Sequence, residues 1–167
     1  QPREHDNSKT SQSDFIRMSR KSGFFDEESL RFQERVMPRT GLGDDTYFPS
    51  NLWHFDTSHT AARREVETTV FTMLDSLFER TGMKPSDIGV VVVNCSLFCP
   101  TPSLTAMIVN RYRMPSTVRT FQIGGMGCSA SIIGLDLIRD VLRSNPKLKA
   151  VLVSTEVITL SWYRGND

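Results

Sequence analysis

The stretch "DIGVVVVNCS", residues 87–96, restricts the fold more than any other part of the chain. Four consecutive valines leave no polar face, and β-branched side chains favour extended backbone. The uninterrupted run Val90–Val93 is far too short to cross a bilayer. Turn residues bound it on both sides. A strand that is apolar on both faces has to be covered on both faces, as in a parallel sheet lined by helices.

The surrounding segments supply those helices and further strands. "DEESLRFQERVMP" predicts a short helix capped by Asp26, with Glu27 and Glu28 at the positive end of its dipole and Pro38 as its stop. "RTGLGDDTYFPSNLW" reads as a loop. From His59 to Thr81, Ala62, Val66, Val70, Met73, Leu74, Leu77 and Phe78 recur at steps of three and four, and Gly82 ends the run. "SLTAMIVNRYRM" predicts another helix, "TVRTFQI" a strand, Cys128 to about Arg143 a long helix, and "LKAVLVSTEV" a third strand. Alternation of this kind indicates α/β architecture. Residues 1–22 are polar, and we expect a poorly structured lead-in there, with the folded region over 23–167.

The 167 residues suffice for one domain with a sizeable core, and a net charge of +1 argues against nucleic acid, whose phosphates require clustered Lys and Arg. The basic pairs Arg20-Lys21 and Arg63-Arg64 are flanked by acids and read as solvated faces. Three cysteines make no disulfide framework in a chain of this length, so a reducing compartment is the default. Cys95-x-x-x-Cys99 lacks the second half of a zinc site, and we expect no metal. Asn94-Cys95-Ser96 matches a glycosylation sequon only formally, because it closes a buried strand. The chain opens on Gln1 rather than Met, so the natural start is expected upstream, and any membrane anchor with it.

"FQIGGMGCSASIIGLDLIRDVL", residues 121–142, runs from a strand through glycines into an apolar helix, with Cys128 at the junction. A phosphate cradle is one explanation for such a turn. Against it, Ala130 stands where G-x-G-x-x-G needs glycine, and the acidic residue of a dinucleotide site is missing. The other explanation is a nucleophile elbow. Gly124, Gly125, Gly127, Ser129 and Ala130 are small enough for a sharp bend and a close substrate. Unpaired N–H groups at the helix start favour a thiolate and can hold an oxyanion. An inert, space-filling cysteine remains open at this point, since free Cys is among the most buried residue types. His5, His54 and His59 are scattered, and none is assignable as a base.

"EESLRFQERVMPRTGLGDDTYFP", "DIGVVVVNCSLFCPTPSLTAMIVNRY", "GGMGCSA" and "VSTEVITLSWYRGND" together resemble the plant-type 3-ketoacyl-CoA synthases, the condensing enzymes of very-long-chain fatty acid elongation. The likeness runs from about Asp14 to Asp167. It implies a thiolate-based acyltransferase of the thiolase-like superfamily, and a chain forming most of the first half of a five-layer α-β-α-β-α sandwich. The family nucleophile falls on Cys128, with Gly125, Gly127 and Ser129 expected beside the substrate. The family's catalytic His and Asn fall beyond Asp167, so the chain alone is expected to be inactive.

The resemblance further implies acyl-CoA and malonyl-CoA as substrates, no cofactor, a homodimer, and elongase reductase and dehydratase partners. Location at the cytosolic face of the endoplasmic reticulum membrane would depend on anchors outside this chain. Three positions depart from the family's usual residues: Cys99 and Val157, each in place of Asn, and Ser131, in place of Gly. Alternatives are a type III polyketide synthase-like enzyme, against which "NCSLFCPTPSL" and "LSWYRGND" speak, and a non-catalytic subunit that only dimerises.

Overall fold

The computed structural model of the chain describes residues 9–166, which divide between two units. One unit holds the residues up to Ala61 together with those from Ser161 on, and the other is Ala62–Leu160. In the first unit, β1 (Lys9–Thr10) pairs antiparallel with β2 (Thr46–Tyr47), and α1 (Gln12–Ser22) and α2 (Glu27–Val36) follow β1 in the chain. Asp26 caps α2 as expected, accepting the Ser29 N–H at 2.8 Å. Pro38 does not stop the chain's coiling at once, because Met37–Arg39 adds a 3₁₀ turn whose early position tolerates proline.

The expectation of a poorly structured lead-in over 1–22 is corrected for its second half. Ser11 caps α1 by accepting the Asp14 N–H at 3.0 Å, and Met18 and Ser19 are buried. Arg20 adds ion pairs to Glu27 at 2.6 Å and Glu34 at 3.2 Å on α2. The polar composition of α1 conceals a capped amphipathic helix. Residues 1–8 of the expected lead-in lie outside the described residues.

The second unit takes α3 (His59–Thr81) from Ala62 on, followed by β3 (Ile88–Asn94), α4 (Leu104–Tyr112), β4 (Arg119–Ile123), α5 (Ala130–Ser144) and β5 (Lys149–Ser154). The three strands form one parallel sheet in the order β4-β3-β5, with Val92 opposite both Phe121 and Leu152. The chain crosses from β3 to β4 in one direction and from β4 past β3 to β5 in the other. Crossovers of one common handedness then put α4 and α5 on opposite faces.

Val90, Val91, Val92 and Val93 are each 0% exposed, which is the two-sided burial that their sequence requires. Val91 and Val93 pack in one cluster with Val66, Val70 and Leu74 of α3 and Leu104 and Ile108 of α4. The opposite face receives α5 at Gly134, where an added Cβ would lie 2.9 Å from Leu152 Cδ1 and 3.4 Å from Val92 Cγ1. Burying each valine contributes on the order of 1.5–3 kcal/mol. The sheet is thus a rigid floor, and its strand ends fix where the connecting turns emerge. No helix among the described residues is long and apolar enough to cross a membrane.

Candidate active site

The turn between β4 and α5 holds Cys128. Gly125 and Gly127 adopt φ of +78° and +58°, a left-handed backbone that side chains with a Cβ disfavour. These two residues reverse the chain within a few positions. Gly127–Ser129 then forms a single 3₁₀ turn, so α5 begins at Ala130 rather than at Cys128 as its sequence suggests. Ser129 Oγ donates to the Met126 carbonyl at 2.7 Å, and Ser131 Oγ to the Cys128 carbonyl at 2.8 Å. Cys128 is exposed, whereas Ala130 behind it is fully buried. The result is an accessible thiol on a turn of small residues, with the buried Ala130 at its back.

The loop that follows β3 lies alongside this turn. Gly127 N–H donates to Ser96 Oγ at 2.9 Å. A Cβ added at Gly124 would lie 3.0 Å from the Cys95 carbonyl and 3.3 Å from Cys99 Sγ, so the two loops pack closely there. The strand ladders also continue one residue beyond the strands: Cys95 N–H donates to the Ile123 carbonyl at 3.2 Å, and Thr155 N–H to the Asn94 carbonyl at 3.1 Å.

Just past β5, Glu156 gathers the loop. Its Oε2 accepts the Ser96 N–H at 3.0 Å. Its Oε1 accepts the Leu97 N–H at 2.9 Å, the Val157 N–H at 3.2 Å and the Cys95 thiol at 3.2 Å. Desolvation pushes this carboxyl up, but the hydrogen bonds from Leu97, Ser96, Cys95 and Val157 together outweigh it and hold the group below the usual carboxylate range. Cys95 shows the opposite effect. Burial first, and then the hydrogen bond to the Glu156 carboxylate, push its thiol up to about 11. Cys99 is exposed and its thiol donates to the Cys95 carbonyl at 3.3 Å.

The structure therefore brings Cys128, Gly125, Gly127 and Ser129 into one turn, and it engages the Gly127 N–H with Ser96. Cys95 and Cys99 direct their thiols to different acceptors. Asn94, of the formal sequon, is 3% exposed at the end of β3. His54 closes a 3₁₀ turn and His59 opens α3, while His5 lies outside the described residues. Glu156 and Ser96 stand inside stretches that the sequence marks, but nothing in the residues themselves singles them out. Their position just beyond adjacent parallel strands was the available signal, since α/β sites gather at the carboxyl ends of strands.

Known proteins bear on this geometry. The family profile described as FAE1/Type III polyketide synthase-like protein matches residues 2–167. Similar relatives in Arabidopsis thaliana include 3-ketoacyl-CoA synthase 2, 48% identical over 155 residues, covering 92% of this chain and 29% of that protein. 3-Ketoacyl-CoA synthase 4 is 50% identical over 154 residues (91% and 30%), and 3-ketoacyl-CoA synthase 9 is 53% identical over 144 residues (85% and 28%). The chain thus spans less than a third of the length of these curated relatives.

Among solved structures, 1,3,6,8-tetrahydroxynaphthalene synthase of Streptomyces coelicolor A3(2), a bacterial type III polyketide synthase, matches with a TM-score of 0.70 at 21% identity. The match covers 92% of this chain and 45% of that one. PKS-I of the brown alga Ectocarpus siliculosus matches with a TM-score of 0.66 at 18% identity, covering 90% and 45%. These likenesses agree with the thiolase-like α/β fold expected from the sequence. The chain belongs to the FAE1/Type III polyketide synthase-like family.

Proposed function

We propose that this chain supplies the nucleophile of a 3-ketoacyl-CoA synthase, an acyltransferase that condenses a long-chain acyl-CoA with malonyl-CoA, and that Cys128 is that nucleophile. The observation that carries the reading is the exposed Cys128 thiol on the glycine turn into α5. The names of the relatives support the reaction class.

In the proposed cycle the Cys128 thiolate attacks the acyl-CoA carbonyl carbon. The bond from that carbon to the CoA sulfur breaks, CoA leaves as a thiolate that takes up a proton, and an acyl thioester remains on Cys128. Malonyl-CoA then loses carbon dioxide. The electron pair left on its α-carbon attacks the thioester, Cys128 leaves as a thiolate, and a 3-ketoacyl-CoA two carbons longer is released. By resemblance, the His and Asn that stabilise the decarboxylated enolate come from residues outside this chain, and a homodimer at the endoplasmic reticulum membrane is the expected setting.

The test uses the protein expressed from its full coding sequence, incubated with labelled long-chain acyl-CoA and malonyl-CoA. Cys128→Ala is expected to abolish both the mass increase of the acyl-enzyme and the 3-ketoacyl product. Cys128→Ser is expected to fail as well, because a hydroxyl has no comparable ionised fraction near neutral pH. Wild-type product from Cys128→Ala would sink the assignment. A polyketide series built from repeated malonyl additions would favour the type III polyketide synthase-like alternative.

A further inference from the structure

We infer that Glu156 is a positioning residue for Cys128, acting through the Ser96 loop onto the Gly127 N–H; this rests on Cys128 being the nucleophile proposed above. The linkage is continuous. The Glu156 carboxylate holds the Ser96 and Leu97 N–H groups at 3.0 and 2.9 Å, which fixes the backbone from which the Ser96 side chain projects. Ser96 Oγ in turn accepts the Gly127 N–H at 2.9 Å. Gly127 stands next to Cys128 in a left-handed conformation, and one hydrogen bond to its N–H restricts the Met126–Gly127 peptide, one residue before the nucleophile. A glycine-rich turn otherwise has wide conformational freedom, so an external tether matters more here than in an ordinary turn.

Both oxygens of Glu156 are needed. Oε2 faces the Ser96 N–H, and Oε1 faces the Leu97 and Val157 N–H groups together with the Cys95 thiol. A carboxamide at this position sets an NH2 donor against an N–H donor in either orientation, whereas the carboxylate accepts on both sides. Glu156 lies one residue past Thr155, whose N–H is bonded to the Asn94 carbonyl, so the hub is anchored to the sheet rather than to a free loop. The three strands thereby jointly locate one thiol: β4 delivers the turn, β3 the tethering hydroxyl, and β5 the carboxylate that holds the tether.

The experiment compares wild type, Ser96→Ala, Ser96→Thr, Glu156→Gln and the Ser96→Ala/Glu156→Gln double variant in the protein expressed from its full coding sequence. Two rates are read at the Cys128 peptide by mass spectrometry: alkylation by iodoacetamide as a function of pH, and acylation by a long-chain acyl-CoA. Loss of a positioning contact is expected to slow both by about tenfold or more in Ser96→Ala and in Glu156→Gln. Ser96→Thr keeps the hydroxyl and is expected to stay within about twofold of wild type, and the double variant within about twofold of the slower single variant, because both act on one linkage.

Ser96→Ala leaves the carboxylate hub in place, so it reports on the tether even if Glu156→Gln fails to fold. Wild-type alkylation of Cys128 in Ser96→Ala would overturn the inference. So would a Ser96→Thr as slow as Ser96→Ala, or single effects that simply multiply in the double variant. If the alkylation pattern is as expected but wild-type Cys128 takes up no acyl group, the positioning effect stands and the nucleophile assignment fails.

Discussion

Burial, and then the hydrogen bond to the Glu156 carboxylate, lift the Cys95 thiol to about 11, so its thiolate is scarce at neutral pH. Cys99 is exposed but gives its hydrogen to the Cys95 carbonyl, while Cys128 stands exposed at the turn into α5. In limited alkylation of the folded, full-length protein followed by peptide mapping, Cys128 is expected to label first and Cys95 last. Labelling of Cys95 ahead of Cys128 would contradict this order. The exposed place of Cys128 on a sharp turn was legible in the sequence because glycines, small residues and an apolar helix all converge on it. Glu156 was not, since its partners Ser96 and Leu97 lie some sixty residues away in the chain. A lone acid after a strand carries no local mark of what it will hold.

At the scale of elements, Gly134 sets how closely α5 approaches the sheet. A Cβ there meets the end of the Leu152 side chain at 2.9 Å, a flexible tip that can move aside. Gly134→Ala also gains about 1 kcal/mol of helix propensity, so its denaturant midpoint is expected to stay near that of wild type. Gly134→Val puts branched bulk between Leu152 and Val92 and is expected to lose about 1–3 kcal/mol by overpacking, read as a lower midpoint at unchanged slope. A wild-type midpoint for Gly134→Val would mean that α5 sits less tightly than described.

The bounds of α3 could be read from the sequence at both ends because its apolar period is long and sustained. Those of α1 could not, because only the Ser11-to-Asp14 cap and a few apolar residues stand out among polar neighbours. α5 starts two residues later than its sequence suggests, because the backbone angles at Gly125 and Gly127 decide where α-helical bonding begins, and sequence does not record those angles. The alternating elements alone argue for α/β, but the layered sandwich is implied only by the resemblance.

Over the whole molecule, apolar surface remains uncovered. Ile132, Ile133 and Leu135 on α5 are 67%, 49% and 54% exposed, and β4 and β5 each have one unpaired edge among the described strands. Contiguous apolar surface and open strand edges promote association with further copies. The 167-residue chain expressed by itself is therefore expected to elute from size exclusion as a concentration-dependent series of oligomers, and light scattering distinguishes that from a monodisperse monomer with a cooperative melt, the result that would count against it. The central place of β3 has a consequence for synthesis on the ribosome. β3 is made before either of its neighbours, and β5 follows it by about 60 residues, which at roughly 5–20 residues per second is a delay on the order of 3–12 seconds. For that interval the most apolar strand of the chain has a partner on at most one side, so its exposure to a chaperone begins during translation.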